Sequence, residues 1–253
     1  MSNNLLIIFF IFTLSIFISI GFKNYYLKSD ISGAPPYGES LEDIPPNNPY
    51  DFKDWVRPNG PPKVGLQAGH WKSSEAPDEL YRLRTNTGSS GAGKSEWEVN
   101  HDIATKTADI LRPLGIMVDI LPATVPPQYW ADVFVAIHAD GSEDATTTGY
   151  KVSPPWRDFH GNSKVLSNYI DQSYPQTTNL IQDPNITRNM RGYYAFSYWK
   201  YEHALHPMTS AVILETGFLT NPSDRQIIIN NSDLSAQGLA QGIIQYLEIQ
   251  KLI

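Results

Sequence analysis

Three short apolar runs end on residues that can bind a metal or move a proton. VGLQ at 64–67 leads into Gly69 and His70, VFVAI at 133–137 into His138, Ala139 and Asp140, and AVIL at 211–214 into Glu215, Thr216 and Gly217. A further carboxylate, Glu96 or Glu98, opens the segment EWEVNHDIATKTADIL. A hydrolytic zinc centre uses three protein ligands and keeps one position for water. Imidazole and carboxylate suit that ion. Water bound to it ionises near neutral pH and attacks a polarised carbonyl, while a carboxylate off the metal carries the proton to the leaving amine. His70, His138 and one glutamate can fill the ligand set and leave another glutamate as shuttle. The chain has no cysteine, which excludes thiolate ligands, a cysteine nucleophile and a disulfide framework.

The elements that would position these residues can be read from hydrophobic periodicity. The runs at 64–67, 115–121, 133–137 and 211–214 are bounded by turn residues and read as strands. Residues 96–111 place Val99, Ile103, Ala104, Ile110 and Leu111 near helical spacing. Residues 163–174, 223–229 and 235–249 also read as helices, the last with Leu239, Ile243, Tyr246 and Leu247 on one face. Strands alternating with helices predict an α/β domain: a single domain with a central, largely parallel sheet flanked by helices. Ligands of such open sheets sit beyond the carboxyl ends of the strands, where both histidines and Glu215 fall. Glu96 starts its helix and is rigidly placed. Glu98, two residues on, points to another face.

Ahead of this domain, expected at 63–253, lie two other segments. LLIIFFIFTLSIFISIGF at 5–22 carries no charge and reaches the roughly 17–25 residues that cross a bilayer, so residues 1–28 read as a membrane anchor or signal peptide. It lacks a basic n-region and a clear small-x-small cleavage site. Lys23 and Lys28 follow it, which on charge alone favours a cytoplasmic C-terminal domain. Residues 29–62 are rich in Pro, Gly and Asn and read as a semi-rigid linker. A net charge of -7 argues against nucleic-acid binding, which needs a basic face.

Four blocks in order carry a resemblance to a known family: VGLQAGHW, SEWEVNHDIA, ADVFVAIHADG and SAVILETGFLTNPSD, with RGYYAFSYW before the last. The chain resembles the zinc-dependent N-acetylmuramoyl-L-alanine amidases of the type 3 family across residues 63–250. The resemblance implies Zn2+ held by His70, Glu96 and His138, with Glu215 as catalytic acid and base. It implies a place for Arg191 near the substrate or the wall of the site, and hydrolysis of the amide between N-acetylmuramic acid and L-alanine in peptidoglycan. It also implies action outside the cytoplasm, against the lysine signal. Three features depart from the family: Trp71 after the first histidine, a long polar stretch between His70 and Glu96, and a segment before His138 without arginine, with Asp140 where asparagine is usual. Another zinc peptidase of the carboxypeptidase kind, or a wall-binding module without activity, would keep the same scaffold.

The remaining features carry less. GSSGAGKS at 88–95 matches a phosphate-binding loop, but a central strand would have to precede it and DELYRLRTNT has no apolar run, so a flexible polar loop is expected there and no nucleotide. His203 and His206 could share a helix face and read as surface residues. His101 reads as structural or solvated, and His160 sits in a loop. The aromatics from Tyr193 to Tyr201 read as mixed core and surface, or as a stacking wall for sugar or peptide.

Overall fold

The computed structural model describes residues 54–253. The apolar segment at 5–22 and residues 29–53 of the linker lie outside the described residues. Among the described residues no helix is long and apolar enough to cross a membrane.

Five strands form the central sheet: β1 (Lys63–Ala68), β4 (Met117–Leu121), β5 (Val133–Asp140), β6 (Lys151–Ser153) and β7 (Ser210–Phe218), in the order β4-β1-β5-β7-β6. The first four are parallel and β6 runs antiparallel at the β7 edge. Two short strands, β2 (Ser90–Gly91) and β3 (Lys94–Ser95), make a separate hairpin. The helices are α1 (Glu96–Leu111), α2 (Asn162–Thr178), α3 (Arg188–Arg191), α4 (Pro222–Ile228) and α5 (Ser232–Ile249).

Side chains alternate across a strand, and the two faces have different partners. Val64, Leu66, Val133, Val135, Ile137, Val212 and Leu214 form one core with Ile103 and Leu111 of α1, Leu166 and Ile170 of α2, and Leu239 and Ile243 of α5. The helices α2 and α5 approach closely because α5 carries glycine at the crossing. A Cβ on Gly242 would stand 2.8 Å from Ile170 Cα and 2.7 Å from Ser173 Oγ. The opposite parity puts Gln67, Phe134, His138, Ile213 and Glu215 on the second face, where Tyr129 packs edge-on to Phe134 and Tyr193 to His138. The helix layer thus lies on one face. Irregular segments rich in tyrosine cover the other.

Several boundaries differ from the periodicity reading. β5 runs three residues past Ile137 and β7 runs four past Leu214, so His138 and Glu215 lie inside strands rather than after them. Pairing with β7 sustains β5 as far as Asp140, through a register shift between His138 and Asp140. The strand at 115–121 starts later, because Pro113 and Gly115 close α1 through a 3-10 turn, with Gly115 at φ 79. β6 is too short to carry a periodic signal.

Candidate active site

Each ligand candidate is placed by a different element. His70 follows β1 and adopts φ 64, a left-handed conformation that a non-glycine residue holds only when its surroundings fix it. His138 stands in β5, next to β1. Glu96 is the first residue of α1. Ser95 caps that helix in a reciprocal capping box with Glu98, whose side chain receives the Ser95 amide at 2.9 Å. Glu98 caps the helix, whereas Glu96 is fully buried and lies with the two histidines.

The three side chains converge. One ligand atom from each lies within 4.8 Å of the others. His138 Nδ1 is 3.0 Å from Glu96 Oε1 and His70 Nε2 is 3.4 Å from the same oxygen. The two imidazoles stand nearly perpendicular with centroids 5.0 Å apart. A backbone carbonyl only accepts, so Asn86 O at 3.0 Å takes the Nδ1 proton of His70 and leaves its Nε2 lone pair turned into the cluster. Glu96 is held by donors on both oxygens: Ser89 N to Oε2 at 2.7 Å, and Ala139 N and Asn100 Nδ2 to Oε1 at 3.1 and 3.3 Å. Burial would raise its pKa, but the two histidines and the Ser89 amide bring it down to about 2. Two imidazoles and an ionised carboxylate, each oriented by an outer partner, fit a zinc ion.

Glu215 pairs in register with His138 across β5 and β7. It is 2% exposed, and its pKa is pushed well above the usual carboxyl range by burial and then by the neighbouring Asp140 and Glu96. Lys151, opposite Glu215 on β6, acts against that rise. The lysine is itself buried and paired, with Asp140 at 2.6 Å and Asp183 at 3.2 Å. The aspartate at position 140 therefore belongs to an ion pair beneath Glu215.

The GSSGAGKS tract is ordered rather than loose. No strand leads directly into it: Asp78–Thr85 is 3-10 helix, so the context of a phosphate-binding loop is missing. Residues 90–95 form the β2–β3 hairpin. Gly88, at φ 71, lies against the site so tightly that a Cβ would collide with Glu96 Oε2. The long polar stretch after His70 thus supports both His70, through Asn86, and Glu96, through Ser89.

Other residues fall elsewhere. Arg191 ends α3 with its guanidinium 4.8 Å above the exposed Trp156 ring, and it is not among the residues lining the opening at His70, Ser73, Leu83, Asn86, Ala123, His138 and Tyr193. His203 and His206 share no helix: 201–209 is irregular. His203 pairs with Glu79 at 2.7 Å, and His206 stacks on Trp55. His101 packs edge-on against Trp71 and His160 lies 3.8 Å from Asp158. The aromatics are mainly core, with Tyr193, Tyr194, Phe196 and Tyr198 buried. Periodicity did not single out Gln67, Asn86, Ser89, Asn100, Lys151 or Tyr193. Gln67 had a signal nonetheless, being a polar position in a buried strand.

Two histidines on adjacent parallel strands and a carboxylate at a helix start, with a buried glutamate one strand over, have the make-up of a metal-assisted hydrolase. The family described as N-acetylmuramoyl-L-alanine amidase matches residues 64–245, and the chain belongs to that family. It is an amidase acting on peptidoglycan. No curated protein sequence matches the chain. Solved structures share the fold. The catalytic domain of the amidase CwlV from Bacillus (Paenibacillus) polymyxa var. colistinus is 21% identical with TM-score 0.52, over 74% of this chain and 99% of that one. The CwlD amidase from Clostridioides difficile, solved with the GerS lipoprotein, is 16% identical with TM-score 0.53, over 74% and 99%. The amidase AmiC2 of Nostoc punctiforme is 17% identical with TM-score 0.52, over 76% and 99%.

Proposed function

We propose that His70, Glu96 and His138 hold Zn2+ and that Glu215 is the acid and base for hydrolysis of the bond between N-acetylmuramic acid and L-alanine. The observation that carries this reading is the convergence of three ligand atoms from three elements within 4.8 Å, with Glu215 in register beside His138. The ion, when bound, polarises the scissile carbonyl and acidifies water. Glu215 takes a proton from the attacking water and returns it to the departing L-alanine nitrogen. Its environment suits that task, since burial and the like charges of Asp140 and Glu96 raise the carboxyl's affinity for a proton. Glu96 stays ionised and coordinating, because its partners stabilise the charged form. Two glutamates of one site thus divide the work.

Arg191, stacked on Trp156, offers a cation and a ring face beside the segment that leads to Tyr193, and we assign it to contact with substrate carboxylate or sugar. Residues 1–28 serve as anchor or signal for a domain that works on the wall outside the cytoplasmic membrane, with 29–62 as spacer.

The test is digestion of purified peptidoglycan with and without chelator, products identified by mass. Free stem peptides carrying an L-alanine amino terminus, lost with chelator and restored by Zn2+, are the expected result. Trimming at the carboxyl end of the stem would instead make the chain a carboxypeptidase, and binding without products would make it a wall-binding module.

A further inference from the structure

The hydrogen bonds beyond His138 Nε2 form a chain with only one consistent assignment of protons. Gln67 is fully buried on β1. Its Nε2 lies 2.9 Å from the Ala123 carbonyl oxygen. A carbonyl cannot donate, so the atom facing it is the amide NH2, and the Gln67 side chain has one orientation. The same Nε2 donates to Tyr194 Oη at 2.9 Å. Gln67 Oε1 is then an acceptor, and Tyr193 Oη, 2.8 Å away, must donate to it. A tyrosine hydroxyl has a single proton, and here it is committed to Gln67. Toward His138 Nε2, at 3.5 Å, Tyr193 Oη can only accept. That contact is long, but the Tyr193 ring is buried and packs edge-on to the imidazole with centroids 5.6 Å apart, so the hydroxyl has little room to turn elsewhere.

From this we infer that Gln67 and Tyr193 are positioning residues that set the proton of His138. Nε2 carries hydrogen toward Tyr193 Oη, so the proton on Nδ1, which in the metal-free protein faces the accepting Glu96 Oε1 at 3.0 Å, is the one a metal would replace. His70 is set the opposite way by Asn86 O, with its proton on Nδ1 and its lone pair on Nε2. The two histidines of one site would therefore hold a metal through different nitrogens. Each choice is enforced by an outer partner: a backbone carbonyl for His70, and a side-chain chain that starts at a glutamine inside β1 for His138. Outer partners of this kind orient ligands and tune their basicity.

The inference rests on the proposed zinc site, and its test separates the two. Metal-stripped protein is titrated with Zn2+ in competition with a chromophoric chelator, for wild type and for Tyr193→Phe, which keeps the ring and removes only the hydroxyl. Affinity should fall by roughly 10–100-fold in the variant, while its melting temperature without metal stays close to that of wild type. In nitrogen-resolved NMR spectra of the zinc-loaded wild type, His138 should carry its proton on Nε2 and His70 on Nδ1. Zinc bound by wild type and, within twofold, equally by a folded Tyr193→Phe would overturn the positioning role and leave the metal site standing. So would a His138 proton on Nδ1 in the loaded wild type, a reading that needs no variant to fold. Absence of zinc binding by wild type would overturn both.

Discussion

The two ends of the same sheet are built on opposite principles. Toward the amino ends of β5 and β7, Val133, Val135, Val212 and Leu214 pack apolar side chains against α1, α2 and α5. At their carboxyl ends the same strands carry His138, Asp140 and Glu215, buried beside Glu96 and Lys151. The first end is stabilised by removing apolar surface from water. The second buries several ionisable groups close together, and ions are costly to desolvate unless paired. Regular packing makes a rigid platform, and the platform holds in place a charge cluster that would not assemble alone.

The largest expected effect comes from the ion pair beneath Glu215. Lys151→Met strands Asp140 and Asp183 as buried carboxylates and should cost about 3–5 kcal/mol of stability, measured by urea unfolding. A loss under 1 kcal/mol would mean that water reaches the cluster and that the two ends differ less than argued. Leu214→Ala, at the packed end, should cost about 2–5 kcal/mol through the cavity it leaves, with zinc affinity unchanged.

Glu215→Gln separates activity from stability. Turnover of peptidoglycan should fall by about 10²–10⁴-fold with zinc still bound. Relative to metal-free wild type, the metal-free variant should become more stable as pH rises. The sign follows from the raised pKa of Glu215. The folded state holds that proton more tightly than the unfolded chain, so wild type has its full stability below the ordinary carboxyl value and loses it as pH climbs through the folded value. Glu96 has the opposite sign: with its pKa lowered to about 2, its contribution is present above the ordinary carboxyl value and disappears as pH falls toward about 2. Melting temperatures of metal-free wild type and Glu215→Gln should therefore diverge from pH 5 to pH 8, and parallel curves would contradict the assignment.

Gly88→Ala should weaken zinc binding by about tenfold or more, read by chelator competition, because the added methyl displaces Glu96. Smallest of all, Glu98→Ala removes half of a helix cap and should cost about 1 kcal/mol with activity intact. A large loss of activity there would reopen the choice between the two glutamates.

Much of this was legible in the sequence. Apolar runs ending in His70, His138 and Glu215 located three strands and the edge on which chemistry collects, because parallel strands deliver their ends to one side. The choice of Glu96 over Glu98 followed only from the resemblance, since a capping box and a ligand both call for a carboxylate at a helix start. The supporting residues were harder to see. Gly88 and Ser89 sat within a motif that suggested a phosphate loop, and only the folded chain shows that they press on Glu96. Gln67 lies in a buried strand, where polarity marks a position as unusual without naming its partner, which comes from a distant part of the chain.

The most direct test of the account is the anomalous scattering of crystals grown with Zn2+ and measured at the zinc edge. One peak is expected, roughly 2.0–2.2 Å from His70 Nε2, a Glu96 carboxylate oxygen and His138 Nδ1. A peak elsewhere, or none at that position with zinc present in excess, would contradict it.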